Sequence, residues 1–276
     1  MVERSLRVRA AIAALSLLAA IAAGPVRADT YTERTLSLLR QPPPGTVFPV
    51  NTEERVLGLL NSLRTNKGLP RLRARDSLRD ATRVHSVRML RDDFFAHEDP
   101  DGRGVGDRVA AVDRRFFYRY FGENLALIKP PRGDPAKTVH NGWVDSPGHY
   151  KNMISPHATH VGVGCAIRLR TLICTQVFGG AAGALGMPVP ARLSRADAYR
   201  FSASFTDEVV GGVKGLQFGG WSLIDRHGSE RAAGEGSLLR WPSRLRGEYQ
   251  LRINGERRQG NRIYTYPFFG PAVVLP

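Results

Sequence analysis

Apolar side chains first recur at helical spacing between residues 51 and 66, where Val56, Leu59, Leu60 and Leu63 fall at i, i+3, i+4 and i+7. Asn51, with Glu54 three residues on, has the form of a capping box, and Gly68-Leu69-Pro70 stops the pattern. A second stripe of Leu78, Ala81, His85 and Met89 predicts a helix from Asp76 to about Arg91. His85 stands among apolar neighbours on that stripe and reads as a core histidine hydrogen-bonded once or twice, not as a ligand. Further helices are expected over 107–121 and 135–145, while 29–50 reads as extended, with at most a short helix near 31–40.

The period then changes. Residues 161–178 alternate in two runs around a short Arg-rich turn, which predicts an antiparallel hairpin. With the turn centred on Leu169 and Arg170, Cys165 and Cys174 fall opposite each other, a pairing compatible with a disulfide. Before it, Gly122–Ile128 is a short apolar run, strand or helix turn, in which Glu123 needs a partner. The Gly, Ala and Pro content after Gly179 suggests a linker. Beyond it, strand-like runs at 198–205, 215–224, 237–241, 248–253 and 262–269 carry no helical period, and Asn254-Gly255 has the composition of a tight hairpin turn.

These patterns divide the chain into a leader (1–28), an extended lead-in (29–50), an α+β domain (51–180), a linker (181–190) and an all-β domain (191–276), read as a small β-sandwich of which the immunoglobulin-like form is one version. The leader carries Arg4, Arg7 and Arg9 before an apolar run from Ala10 to Ala23 and a small-residue site ending at Ala28. That is the form of a secretory signal peptide, so a secreted product, periplasmic or extracellular, is expected, with no transmembrane segment after cleavage. Lys and Arg number 40 against 25 Asp and Glu, a net charge of +15. In an exported protein this excess points away from nucleic acid and toward anionic lipid headgroups or acidic envelope polymers, although dispersed arginines also serve solubility alone.

Three polar residues stand out for chemistry. His149 follows Ser146-Pro147-Gly148, a turn that either aims its ring for use or merely starts a helix in water. His97 lies on a Pro/Gly-rich loop. The Asp99-x-Asp101 start of that loop resembles a calcium site, but Arg103 and Ala110 stand where oxygen ligands are needed, so calcium is set aside.

The ordered motifs Phe95-Ala-His-Glu-Asp-Pro-Asp-Gly102, Gly122-Glu-Asn-Leu-Ala126, Trp143-Val-Asp-Ser-Pro-Gly-His149 and Val161-Gly-Val-Gly164 resemble the bacterial branch of the CAP superfamily (cysteine-rich secretory, antigen 5 and pathogenesis-related 1 proteins) over about Asn51 to Gly180. The resemblance implies a three-layer α-β-α sandwich with a cleft holding His97, His149 and the acid Glu123. The family's second acid would stand at Ser146. Either Asp145, one residue early, takes its place or the fourth group is the Ser146 hydroxyl. His97 and His149 are then the candidate ligands for Zn²⁺ or another divalent metal, held weakly because a catalytic zinc usually has three protein ligands. The alternative is a hydrogen-bonded His/Glu/His network with no metal. The function expected is binding of a lipid, sterol or anionic envelope component through this cleft and the basic surface, more readily than catalysis. A metal-dependent hydrolase or protease is the competing reading. A protein partner for the C-terminal domain is a further possibility.

Overall fold

The computed structural model describes residues 30–194, 199–206, 213 and 215–276. The leader assigned to 1–28 lies outside them. Six helices are described: α1 (Tyr31–Arg40), α2 (Val50–Asn66), α3 (Asp76–Asp92), α4 (Val105–Val112), α5 (Pro135–Val144) and α6 (Pro147–Met153). The strands are β1 (Arg73–Ala74), β2 (Phe116–Ile128), β3 (His160–Arg168), β4 (Thr171–Leu185), β5 (Tyr199–Arg200), β6 (Ala203–Phe205), β7 (Gln217–Ile224), β8 (Glu230–Glu235), β9 (Leu238–Leu239), β10 (Gly247–Gln259) and β11 (Arg262–Leu275).

The first part is a three-layer α-β-α arrangement. On one face of the β1-β3-β4-β2 sheet, Val56 and Leu60 of α2, Val139 and Trp143 of α5 and Met153 of α6 pack on Val161, Val163 and Phe178. On the other, Leu78 and Ala81 of α3 and Val109 and Val112 of α4 pack on Tyr118, Val177 and Ala181. The β3–β4 hairpin forms as its alternation predicts: Cys165 lies directly opposite Cys174 and is bonded to it, and Leu169 and Arg170 make the turn in the left-handed region that a two-residue hairpin requires.

Several boundaries differ from the sequence reading, each for a physical reason. Pro49 starts α2 at Val50, which leaves Asn51 inside the helix, and no side-chain cap forms. The helix expected over 107–121 ends at Val112. There the Asp113 carboxylate accepts hydrogen bonds from the backbone N–H of Arg115 and Phe116 and turns the chain into β2, where the aromatic run Phe116–Phe121 suits a strand.

The stretch 181–190, read as a linker, continues β4 to Leu185, and Ala181, Ala182, Leu185 and Val189 are buried. Its small residues reflect crowding, since a Cβ on Gly183 would lie 2.3 Å from the Phe117 ring. Gly255 is likewise a packing glycine: β10 runs through Asn254-Gly255, and the turn falls after Gln259, which pairs with Arg262.

The C-terminal region is all-β, but it adds to the same sheet instead of standing apart as a sandwich. β11 pairs with β2 through Phe269 and Tyr118, giving the order β1-β3-β4-β2-β11-β10-β7-β8, while β5 and β9 form a separate short ladder. The C-terminal core is shared, because Phe117 of β2 and Leu185 of β4 pack with Trp221, Leu251, Phe268 and Val273.

Candidate functional site

The site is assembled from β2, the loop after α3, α4 and the start of α6. Glu123 sits in β2 and is buried. Its Oε1 pairs with His97 Nδ1 at 2.8 Å and its Oε2 accepts from Arg108 Nη2 at 2.5 Å. Arg108, on α4 and 1% exposed, also donates to the carbonyls of His97 (2.9 Å) and Arg103 (3.1 Å). One guanidinium therefore ties the carboxylate to both ends of the histidine loop. The His97 side chain is 60% exposed, so its other ring nitrogen is free to meet solvent or a ligand.

The loop itself is built around Asp99. Its Oδ1 accepts the backbone N–H of Asp101 and Arg103, and its Oδ2 accepts Tyr31 Oη and Arg88 Nη1. The Asp-x-Asp pattern is thus a self-capped turn anchored to α1 and α3. His85 is a core histidine, fully buried, and its Nε2–H donates to the Ala96 carbonyl at 2.9 Å, immediately before His97.

On the other side, α6 is fastened to β2 by two amides. Asn124 Nδ2 donates to the His149 carbonyl, and Asn152 Nδ2 donates to the Glu123 carbonyl and to Asn124 Oδ1. His149 lies in the first turn of α6, behind Pro147, with its Nδ1 buried and unpartnered among the described residues.

The two histidines are driven apart electrostatically. The Glu123 hydrogen bond raises the His97 pKa against a smaller burial effect, whereas burial and then the nearby His97 charge lower that of His149. Burial alone would push the Glu123 carboxyl up, but His97 and Arg108 together hold it below the usual range. Burial also pushes His85 down to about 3.

The pH dependence follows in sign. The raised His97 contributes stability below the ordinary histidine value of about 6.5, lost as pH rises through its folded value. The lowered His85 and His149 act oppositely, contributing stability above about 6.5 that is lost on acidification. An imidazole NMR titration is expected to give the order His97, His149, His85 from highest to lowest pKa. Glu123→Gln is expected to lower His97 and leave His85 neutral at pH 5. A His97 titrating below His149 would contradict this geometry.

The structure therefore brings together His97, Glu123 and His149. Asp145 and Ser146 make no side-chain hydrogen bond or ion pair among the described residues; Asp145 is exposed and Ser146 is the uncapped N-cap of α6. The sequence reading missed Arg108. Its signal was an arginine on the apolar stripe of Val105, Arg108 and Val112, where a buried cation demands a carboxylate.

As a metal site the donors are few. Both Glu123 oxygens are engaged, leaving two imidazoles, and no three His, Cys, Asp or Glu side chains are grouped to hold a metal among the described residues. The set fits at most a loosely held divalent cation, with Glu123 orienting His97 from behind, and does not fit a three-ligand catalytic zinc.

Residues 57–178 match the family model described as CAP, the cysteine-rich secretory protein family, so this segment of the chain is similar to the domain of that family. Among particular relatives, the uncharacterized protein YkwD of Bacillus subtilis (strain 168) is 31% identical over 112 residues, 41% of this chain and 41% of YkwD. The match thus spans about two fifths of that relative. Solved structures similar to the chain include an outer surface protein of Borrelia burgdorferi (19% identity, 49% of this chain and 97% of that one, TM-score 0.44). Another is an extracellular protein containing an SCP domain from Bacillus anthracis (27% identity, 47% of this chain and 40% of that one, TM-score 0.40). No helix among the described residues is long and apolar enough to cross a membrane.

Proposed function

We propose that the protein is exported and binds a lipid, sterol or other cell-envelope component at the His97/His149 face and the basic surface beside it, as a binding protein and not as an enzyme. The observation that carries this reading is the saturation of Glu123. The one buried carboxylate of the site, which a hydrolase would use as a base, has one oxygen on His97 and the other on Arg108. Held ionised by two partners, it positions a histidine and has little tendency to take a proton. What remains available to a ligand is an exposed imidazole and its more buried neighbour His149.

The test is binding of the protein without residues 1–28 to phosphatidylcholine vesicles with sterol, phosphatidylcholine vesicles without sterol and isolated peptidoglycan at low salt, compared with the His97→Ala, His149→Ala double variant. Saturable binding to one of the three, weakened at least about tenfold (about 1.4 kcal/mol) in the double variant, is expected. Binding to none of them would sink the reading. Export is tested separately, by cell fractionation and the N-terminal residue of the recovered protein.

One feature favours the hydrolase alternative: a carboxylate holding His97 Nδ1 leaves the other ring nitrogen poised as a base. Peptide turnover by the wild type that disappears in the double variant would establish it. Any divalent metal bound would rest on His97 and His149 alone, and elemental analysis of untagged protein measures it.

A further inference from the structure

Two hairpin tips project from the same end of the sheet. β2 and β4 are antiparallel with Ile128 opposite Leu172, so the β3–β4 turn at Leu169-Arg170 lies just beyond the end of β2. β11 is also antiparallel to β2, with Phe269 beside Tyr118, so the residues before Phe269 run the same way as those after Tyr118. At about 3.3 Å per residue from that pair, Arg262 lies roughly 23 Å along and Ile128 roughly 33 Å. The β10–β11 turn thus approaches the same end, splayed from the other tip by the twist of the sheet.

This end carries most of the large apolar side chains that the described residues leave in water. Leu169 is 81% exposed at one tip and Ile263 54% at the other, with Tyr264 beside it. Phe95, Leu127 and Leu169 border an open groove of about 370 Å³ floored by Met89, Leu90 and Ile173. Cations accompany each tip: Lys129, Arg168 and Arg170 at the first, Arg258 and Arg262 at the second, where Arg258 is directly opposite Ile263. None of these five makes an ion pair among the described residues. Asp93 is the carboxylate on the groove rim.

Single exposed leucines are ordinary, but two apolar tips, each in an arginine collar and both at one end of a strongly basic chain, have the composition of an interfacial anchor. A soluble acidic polymer would use the arginines and leave Leu169 and Ile263 with nothing to bury them.

We propose that this end of the sheet docks on an anionic lipid bilayer, with Leu169 and Ile263 entering the headgroup region while Lys129, Arg168, Arg170, Arg258 and Arg262 meet lipid phosphates. The docking is independent of whether the His97/His149 face takes a ligand.

The experiment is flotation of the protein without residues 1–28, which keeps every described residue, with vesicles of equal parts phosphatidylglycerol and phosphatidylcholine or of phosphatidylcholine alone. Partition onto the anionic vesicles, weakened by salt, is expected. Two double variants, Arg258→Glu with Arg262→Glu and Leu169→Asp with Ile263→Asp, are each expected to lower it roughly tenfold or more. Both pairs are at exposed positions, and unchanged melting temperatures verify the fold. The His97→Ala, His149→Ala variant is expected to partition as the wild type does. A Tyr264→Trp reporter is expected to shift to the blue on binding and to be quenched by brominated lipid.

Any of three results overturns the proposal: no partition onto anionic vesicles, partition unaffected by both tip variants, or partition lost only in the histidine variant. Loss with the arginine pair but not the Leu169/Ile263 pair, without quenching of the reporter, also overturns it, because it would mean surface adsorption without entry.

Discussion

Arg108→Met is expected to lower the stability of the protein by roughly 3 to 5 kcal/mol, because it leaves a buried carboxylate without its counter-charge. Arg108 is 1% exposed and donates to Glu123 and to the carbonyls of His97 and Arg103. Methionine fills much of the volume but donates nothing, so two carbonyls and one carboxylate oxygen lose their partner at once. For a chain of this size each kcal/mol corresponds to about 2 to 4 °C in Tm, which puts the expected drop at roughly 6 to 20 °C. Glu123→Gln should be milder, because an amide still accepts from Arg108 and donates toward His97.

The pair is best read from a double-variant cycle. Removing both charges should recover a good part of the Arg108→Met loss, since the orphaned carboxylate is the main source of the cost. Urea midpoints of the wild type, the two single variants and the double variant give the coupling directly. A single-variant loss below about 1 kcal/mol would mean that water reaches Glu123 and that the ion pair is not a buried one.

How much of this site could be read in the residues differs from group to group. His97 and His149 were legible because each sits beside local turn chemistry, a Pro/Gly loop and a Ser-Pro-Gly turn, and Glu123 because a carboxylate in a short apolar run needs a partner. The hairpin disulfide was legible because register in a two-residue hairpin is fixed by its turn. Arg108 was legible only in part: its place on the apolar stripe of α4 marks a buried cation, but nothing local points to the carboxylate it meets, 15 residues away on a strand. The helix expected over 107–121 failed at Asp113, whose side chain caps the backbone in a way that periodicity does not register.

Glycine was the other blind spot. Gly183 and Gly255 were read as linker and turn, yet both lie in strands, where aromatic rings press on the backbone. Composition alone cannot separate a glycine needed for positive φ from one needed for close approach. The continuation of the sheet from β2 to β11 was equally invisible, since it depends on a single long-range register between Tyr118 and Phe269.

The same ambiguity makes the second large effect predictable. Val161-Gly-Val-Gly164 reads simply as an alternating strand, but in the structure its glycines are where α3 lies directly on β3. A Cβ on Gly162 would fall 2.2 Å from the Leu78 carbonyl carbon and 2.3 Å from the Arg79 nitrogen; one on Gly164 would fall 2.3 Å from Thr82 Oγ1 and 2.4 Å from the Arg83 nitrogen. These are helix backbone atoms for the most part, so no rotamer change relieves the clash, and the whole helix must lift from the sheet. α3 carries Leu78 and Ala81 into one core cluster and Val84 and Val87 into another, and its His85 and Arg88 hold the loop of His97, so a lifted helix loosens both the core and the site.

Gly162→Ala is therefore expected to cost about 3 kcal/mol or more, at or above the upper end of the usual overpacking range, although alanine is a better strand residue than glycine. Gly148→Ala is the control: no atom lies within 4 Å of its Cβ position and its φ is not positive, so its stability should change by less than about 0.5 kcal/mol. Urea denaturation of both variants, with hydrogen exchange of α3 amides, makes the comparison. If Gly162→Ala were as stable as Gly148→Ala, with α3 protection unchanged, the close approach of helix and strand would be refuted.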